Sequence, residues 1–192
     1  MPVIETFPPT DQGHGPVAWS AEDQREIDAL FGRYPTKRSA ILPLFWLAQR
    51  KWGWLSYDVL GLIASTLSLP KSEVLAVASF YSMLKKQPTG KYTIQVCHTL
   101  SCALRGADAI VHHLETALGI GVGETTADGM FTLQRVECLA SCGSAPMMQI
   151  DDDFYELLTP AKVDEILAAF RTSQPLPTPR PEADEWHWTV QS

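Results

Sequence analysis

The chain has 192 residues, of which 45% are hydrophobic and 19% charged, and its formal net charge is −7 at pH 7. This length and apolar content allow one ordinary domain with a smaller accessory region and exclude a largely disordered protein. The negative charge argues against nucleic acid or anionic lipid as the main partner.

The N-terminal sequence and the apolar runs bear on the compartment. The longest apolar run, residues 41–48, is interrupted by Pro43 and is far shorter than the roughly 20 residues of a membrane span. The first nine residues lack the basic stretch and apolar stretch of a signal peptide. We therefore expect a cytosolic chain, in which cysteines are more often metal ligands or catalytic thiols than disulfides.

The first half of the chain predicts an extended arm followed by helices. Residues 1–18 are rich in Pro and Gly and show no periodicity. Residues 19–86 form a predicted helical region with a first helix after Ser20, where Asp23 completes a loose capping box. Three more helices are predicted over residues 38–51, after the cap Ser56, and over about residues 71–83.

The second half predicts an α/β domain over residues 87–171. Apolar alternation predicts strands over residues 92–96, 131–136, 147–150 and 154–157, and helical spacing predicts helices over residues 106–118 and 160–171. The order β-α-β-β-β-α suits a small sheet with packed helices, of which the thioredoxin-like fold is an example.

The last residues, 172–192, differ in composition from both halves. Proline recurs at every second position from Pro175 to Pro181, which predicts an extended tail. Trp186 and Trp188 flank His187 near its end, and we hypothesise that these aromatic residues dock on a partner protein.

The four cysteines of the chain occur as two close pairs, each just past the end of a predicted strand. They follow a C-x4-C and a C-x3-C spacing, and they are Cys97, Cys102, Cys138 and Cys142. Two such loops at one end of a small sheet would gather four sulfurs. A 2Fe–2S cluster needs four thiolates, with backbone N–H groups directed at its sulfurs, and loops of small residues supply such groups.

Three other interpretations of the cysteines remain open on spacing alone. Structural zinc sites with four cysteines usually contain two C-x2-C knuckles, and neither pair has that spacing. The C-x-x-C motif of thiol–disulfide enzymes is absent from the sequence. Inert buried cysteines would not need to pair at strand ends. The spacing therefore favours the cluster without deciding the question.

The residues around the cysteines are more specific than their spacing. The run Val136-Glu-Cys-Leu-Ala-Ser-Cys-Gly-Ser-Ala-Pro-Met-Met-Gln-Ile, together with Arg33-Tyr-Pro-Thr-Lys-Arg-Ser-Ala-Ile-Leu-Pro and Val77-Ala-Ser-Phe-Tyr-Ser-Met, resembles the thioredoxin-like 2Fe–2S ferredoxin family. The resemblance covers about residues 25–171. The family includes the E subunit of bacterial NADH:quinone oxidoreductase, which is respiratory complex I.

The resemblance implies a ligand set and a function. It matches Cys97, Cys102, Cys138 and Cys142 one for one to the cluster ligands of the family. It implies an electron-transfer subunit whose single 2Fe–2S cluster exchanges electrons with FMN in a neighbouring NADH-binding flavoprotein subunit, beside a further iron–sulfur subunit. The chain itself would bind neither NADH nor FMN and would have no catalytic residues, and the complex would place it on the inner face of the cell membrane.

Two alternatives to this function are retained. Within the same class, the chain would be the equivalent diaphorase subunit of an NAD-linked hydrogenase or formate dehydrogenase. From a different class, it would be a zinc-stabilised interaction module without a redox role. Metal analysis distinguishes the second alternative, because zinc–thiolate sites are colourless in visible light.

Four residues near the cysteines receive separate expectations. Ala140 stands where the family commonly has glycine, so a positive φ there would strain alanine. Ser141 would donate a hydrogen bond to a cluster sulfur or face solvent. His98 is expected to be an ordinary loop residue, and Arg105 either offsets the negative charge of the cluster or lies on the surface.

Overall fold

A computed structural model describes residues 14–172 of the chain. The chain divides into two compact units, of which the first ends at Pro88 and the second begins at Thr89. The predicted N-terminal arm lies outside the described residues before residue 14. The predicted tail lies outside them after residue 172, so the hypothesis on Trp186 and Trp188 is untouched by the structure.

The first unit is a small helical bundle. It contains α1 (Ala21–Phe31), a 3-10 helix (Lys37–Ala40), α2 (Ile41–Trp52), α3 (Tyr57–Leu67) and α4 (Lys71–Phe80). In residues 14–172 no single helix is long and apolar enough to cross a membrane, and only α3 and α4 taken together, with a bend of 118°, pass on length and composition. The helices enclose one core, formed by Ala40, Ile41, Leu44, Phe45, Ala48, Leu55, Val59, Leu60, Ile63, Ala64, Leu67, Val74, Ala78 and Leu84.

The helix starts follow the predicted caps. Ser20 Oγ accepts a hydrogen bond from the N–H of Asp23 at 3.2 Å, and Asp23 Oδ2 accepts one from the N–H of Ser20 at 2.7 Å, which is a full capping box. Asp23 also forms an ion pair with Lys51 of α2. Ser56 caps α3 by accepting from the N–H of Val59 at 3.3 Å. These side chains satisfy N–H groups that a helix N-terminus leaves unpaired.

Two helix boundaries differ from the prediction. The first turn of the second predicted helix is the 3-10 helix, and α2 begins only at Ile41. Pro43 has no N–H to donate to a carbonyl four residues earlier, so the α-helical hydrogen bonds begin after it. The fourth helix ends at Phe80 rather than near Met83, because Tyr81 is extended and the chain turns so that Leu84 is buried in the core.

The second unit is a four-stranded mixed sheet with helices. Its strands are β1 (Tyr92–Cys97), β2 (Phe131–Val136), β3 (Met148–Ile150) and β4 (Asp153–Tyr155), in the order β2-β1-β3-β4. β1 is parallel to β2 and antiparallel to β3, which forms an antiparallel hairpin with β4. Parallel neighbours need a crossover, and the helices between β1 and β2 supply it.

The helices of this unit position the first cysteine loop and cover the sheet. A short helix, α5 (Leu100–Leu104), follows β1 and was not predicted, since five residues are too few to show helical periodicity. The next helix, α6 (Ala107–Leu118), packs against β1, β2 and the last helix, α7 (Pro160–Thr172). The main core of the unit is formed by Ile94, Val96, Ile110, Val111, Leu114, Phe131, Leu133, Met148, Ile150, Tyr155, Leu158, Val163, Ile166 and Leu167.

Candidate metal centre

The sheet brings the two cysteine loops to one edge. Cys97 is the last residue of β1 and lies opposite Val136, the last residue of the parallel strand β2. The chain therefore leaves both strands at the same edge, and Cys138 follows two residues after Val136. Antiparallel β3 begins at this edge, where the N–H of Cys97 donates to the carbonyl of Met147 at 3.3 Å.

The four cysteines differ in burial. Cys97 is 2% exposed and Cys102, inside α5, is 1% exposed. They belong to a small second core with Ala107, Ala145 and Met147. Cys138 and Cys142 are both exposed. One pair therefore faces the protein interior and the other faces outward, so a group held by all four would be bound at the surface.

The sulfurs are arranged as two pairs. The Sγ atoms of Cys138 and Cys142 lie 3.6 Å apart, and the thiols of Cys97 and Cys102 are hydrogen-bonded to each other. Two thiolates about 3.8 Å apart can share one tetrahedral metal, given a metal–sulfur bond of about 2.3 Å. Among residues 14–172, no three His, Cys, Asp or Glu side chains are grouped so as to hold one metal ion. A 2Fe–2S cluster takes two cysteine sulfurs on each iron.

Hydrogen-bond donors are directed at the sulfurs. The N–H of Ala140 donates to Cys138 Sγ at 3.3 Å, and the Thr99 hydroxyl lies 3.3 Å from Cys97 Sγ. Cys97 also receives the N–H groups of Thr99 and Leu139, and Cys102 receives that of Met147. Donors from both loops and from the start of β3 therefore stabilise negative charge on sulfur, which an anionic cluster requires.

These donors and the burial set unequal pKa values within each pair. Burial opposes ionisation of Cys97, but the hydrogen bonds from Thr99 and Leu139 outweigh it and lower the pKa of Cys97. Burial, together with the hydrogen bond to Cys97, raises the pKa of Cys102 to about 11. The N–H of Ala140 lowers the pKa of Cys138, and the bond to Cys138 raises the pKa of Cys142.

One proton is therefore retained by each pair in the metal-free chain. Cys102 and Cys142 hold these protons, because they are the members whose pKa is raised. Metals bind the thiolate form, so binding at all four sulfurs must release the retained protons.

The backbone of the second loop is strained at Ala140. Its φ is +64°, in the left-handed region that the frequent glycine of the family leads one to expect. This conformation directs the N–H of Ala140 at Cys138 Sγ. Strain of this kind persists where the surrounding structure imposes it, as at ligand-binding loops.

The other residues singled out from the sequence lie around the loops. Ser141 follows neither of its two expectations, because its hydroxyl donates to the carboxylate of Glu156. His98 Nε2 lies 3.6 Å from a carboxylate oxygen of Glu137, between the two loops. Arg105 is an exposed residue at the end of α5. Sequence reasoning missed Glu156, which has no local motif and reaches the loop only through the fold.

The donor set fits a 2Fe–2S cluster. Four sulfurs in two pairs lie at one sheet edge, the inner pair is buried, and N–H groups from three segments point at sulfur. These features correspond to the number, the pairing and the charge that such a cluster requires.

Comparison with known proteins identifies the family. The sequence model of the family described as "Thioredoxin-like [2Fe-2S] ferredoxin" matches residues 27–171. A second E subunit of NADH-quinone oxidoreductase from Rhizobium meliloti (strain 1021) is 43% identical over 151 residues, which are 79% of this chain and 90% of that protein. The NADH-quinone oxidoreductase E subunit of Rickettsia typhi (strain ATCC VR-144 / Wilmington) is 45% identical over 156 residues, which are 80% of this chain and 92% of that protein.

A solved structure shares the fold. An NAD+-reducing [NiFe]-hydrogenase in the air-oxidized state superposes with a TM-score of 0.61 at 24% identity. The match covers 74% of this chain but only 24% of the hydrogenase chain, so it is evidence for the fold alone. Since the family model spans most of the sequence, including all four cysteines, the chain belongs to the thioredoxin-like [2Fe-2S] ferredoxin family.

Proposed function

We propose that this chain is the electron-transferring E subunit of an NADH:quinone oxidoreductase and holds one 2Fe–2S cluster on Cys97, Cys102, Cys138 and Cys142. The observation that carries the proposal is the arrangement of two sulfur pairs at one sheet edge, with N–H donors directed at them. The relatives that align over most of their own length support the choice of complex.

The protein tunes and exposes the site, and the cluster, when bound, accepts and releases one electron at a time. The buried pair, Cys97 and Cys102, keeps water from one side of the site. The N–H groups of Leu139 and Ala140 stabilise negative charge on sulfur. The exposed pair, Cys138 and Cys142, is open to a partner. The chain makes or breaks no bond in an organic substrate.

The partner in this proposal is the flavoprotein subunit that binds NADH and FMN, next to a further iron–sulfur subunit of the same complex. Around the cysteines the surface is apolar: Leu100 is 75% exposed and Leu104 79% exposed on α5, and Leu157 is 58% exposed. Exposed leucines beside a redox site suit a protein interface better than solvent. As part of the complex the chain would lie in the cytoplasm, at the inner face of the cell membrane.

The hydrogenase alternative is supported by the shared fold and is tested by the proteins that copurify with the chain. Affinity purification from its own cells under mild detergent should recover a flavoprotein together with membrane subunits and quinone-reducing activity. Recovery of a nickel- or molybdenum-containing subunit in place of the membrane subunits would replace complex I by a hydrogenase or formate dehydrogenase.

Metal analysis tests the cluster itself. Protein purified without oxygen should contain about two irons and two acid-labile sulfides per chain and should be brown. One zinc and no sulfide would overturn the electron-transfer function and support a structural module.

Single substitutions test the ligand set. Serine at any of the four cysteines should lower the content of iron and sulfide sharply, because a hydroxyl is a poorer ligand for iron than a thiolate. His98→Ala is the matched control beside Cys97, and it should retain the full content. A serine variant with unchanged iron, sulfide and visible spectrum would remove that cysteine from the ligand set.

A further inference from the structure

The carboxylate of Glu156 reaches the second cysteine loop from the other side of the β3–β4 hairpin. The hydroxyl of Ser144 donates to Glu156 Oε1 at 2.7 Å, and the hydroxyl of Ser141 donates to the same oxygen. The two hydroxyl oxygens lie 2.9 Å apart. One carboxylate oxygen therefore gathers both serines that flank Cys142 and Gly143.

The backbone around Glu156 is fixed on both sides. The N–H of Leu157 donates to the carbonyl of Ser144 at 2.8 Å, and Lys162 Nζ donates to the carbonyl of Glu156 at 2.6 Å. Leu157 has a φ of +50°, a conformation that leucine adopts only when its surroundings impose it. The carboxylate is therefore held in place rather than carried on a freely rotating chain end.

This contact decides where the Ser141 hydroxyl points. Ser141 directly precedes Cys142, and a hydroxyl that donates to a ligand sulfur raises the reduction potential of an iron–sulfur cluster. A carboxylate is a stronger acceptor than a neutral group and forms short, charge-assisted hydrogen bonds with hydroxyls. The Ser141 hydrogen therefore goes to Glu156 and is withheld from sulfur.

We propose that Glu156 is a positioning residue for the cluster: it fixes the turn 141–144 and keeps the Ser141 hydroxyl away from the ligand sulfurs, which holds the reduction potential low. The proposal rests on the proposed function, since it concerns a cluster bound by the cysteines. It assigns to Glu156 the role of acceptor and does not depend on its charge.

Comparison of two substitutions isolates the acceptor. Glu156→Ala and Glu156→Gln both remove the negative charge, but only glutamine keeps an oxygen that accepts from the two hydroxyls. In a redox titration followed by electron paramagnetic resonance, we expect Glu156→Ala to shift the midpoint potential upward by more than Glu156→Gln does. The difference should vanish when both are made in a Ser141→Ala background, because no hydroxyl is then available to sulfur.

Glu137 provides the matched control. It is adjacent to Cys138, its side chain is 84% exposed, and its carboxylate lies near His98 rather than near the loop serines. Alanine and glutamine at Glu137 should therefore shift the potential equally, with or without Ser141. Equal shifts for Glu156→Ala and Glu156→Gln, or a difference that persists in the Ser141→Ala background, would overturn the positioning role.

Iron and sulfide analysis of every variant separates the possible failures. A full cluster with equal potentials contradicts the role of Glu156 and leaves the proposed function intact, whereas a wild-type chain without iron and sulfide contradicts the proposed function and this inference with it. If Glu156→Ala loses the cluster while Glu156→Gln retains it, the acceptor is again what holds the turn. Equal loss in both variants means that the carboxylate charge is needed, which overturns the proposal.

Discussion

Ala140 is a residue that its backbone does not suit. Its φ of +64° costs an L-residue roughly 1–2 kcal/mol, whereas glycine adopts it freely and loses part of that gain to its larger entropy in the unfolded chain. We expect Ala140→Gly to increase the free energy of unfolding of the metal-free chain by about 1 kcal/mol. Chemical denaturation followed by circular dichroism measures the change.

The control for this prediction is the same substitution in a helix. Ala109 is an exposed residue of α6, and Ala109→Gly should decrease the free energy of unfolding by about 1 kcal/mol because glycine is a poor helix former. If glycine at position 140 also destabilised the chain, the left-handed conformation of the loop would be wrong.

Tyr155 carries a buried hydroxyl at the centre of the second unit. Its Oη has no hydrogen-bond partner among the described residues, and burial raises its pKa to about 12. Tyr155→Phe removes this unsatisfied group, so we expect the free energy of unfolding near neutral pH to rise by about 1 kcal/mol. Thermal unfolding of the metal-free chain tests this, with Tyr92→Phe, at a half-buried tyrosine of the same core, as the control.

The pH dependence of this tyrosine has a definite sign. The folded chain holds the phenol proton more tightly than the unfolded chain, whose tyrosine has the ordinary pKa of 10.0. Its contribution to stability is complete below about pH 10 and is lost as the pH rises toward about 12. The stability gained by Tyr155→Phe should therefore increase in that alkaline range. A gain that stayed constant there would mean that the hydroxyl is solvated.

At the scale of the elements, one carboxylate joins two helices of the first unit. Asp23 completes the capping box of α1 and pairs with Lys51 of α2, and the bond to Lys51 is the main reason that the pKa of Asp23 is lowered. A lowered pKa means that stability is present above the ordinary value of 3.8 and is lost as the pH falls below it.

We expect Asp23→Asn to lower the free energy of unfolding of the first unit by about 1 kcal/mol at about pH 7, and by much less at about pH 3, where the aspartate is protonated. Urea denaturation at both pH values, followed by tryptophan fluorescence, measures the difference. Asp28→Asn removes the same charge from α1 without touching the cap or Lys51, and it should change stability little. Equal losses at both pH values would contradict the role of the ion pair.

The elements show what local sequence can and cannot predict. Ser20 and Ser56 marked helix starts correctly, because a cap is decided by one side chain and the next three residues. The meeting of Cys97 and Cys138 followed from their places after two strands, once those strands were parallel. The contact of Glu156 with Ser141 has no such signal, since it depends on the β3–β4 hairpin placing residues 15 positions apart side by side.

At the scale of the whole molecule, the two units have separate cores. Every buried residue of the helical core precedes Pro88, and every buried residue of the two other cores, including Cys97 and Cys102, follows it. A bound group stabilises the folded state of the structure that binds it, in proportion to its affinity. A cluster on the four cysteines should therefore stabilise the second unit far more than the first.

Removal of iron tests this division. After chelation without oxygen, we expect faster amide hydrogen exchange at residues 97–102 and 138–147, where the ligand loops lose their metal links, and unchanged exchange in α2 and α3, whose core contains no cysteine. Mass spectrometry of peptic fragments measures both regions in one sample, and restoring iron and sulfide should reverse the change. Equal acceleration in α2 and α3 would show that the helical unit depends on the cluster for its own stability, and separate cores would then not mean separate stabilities.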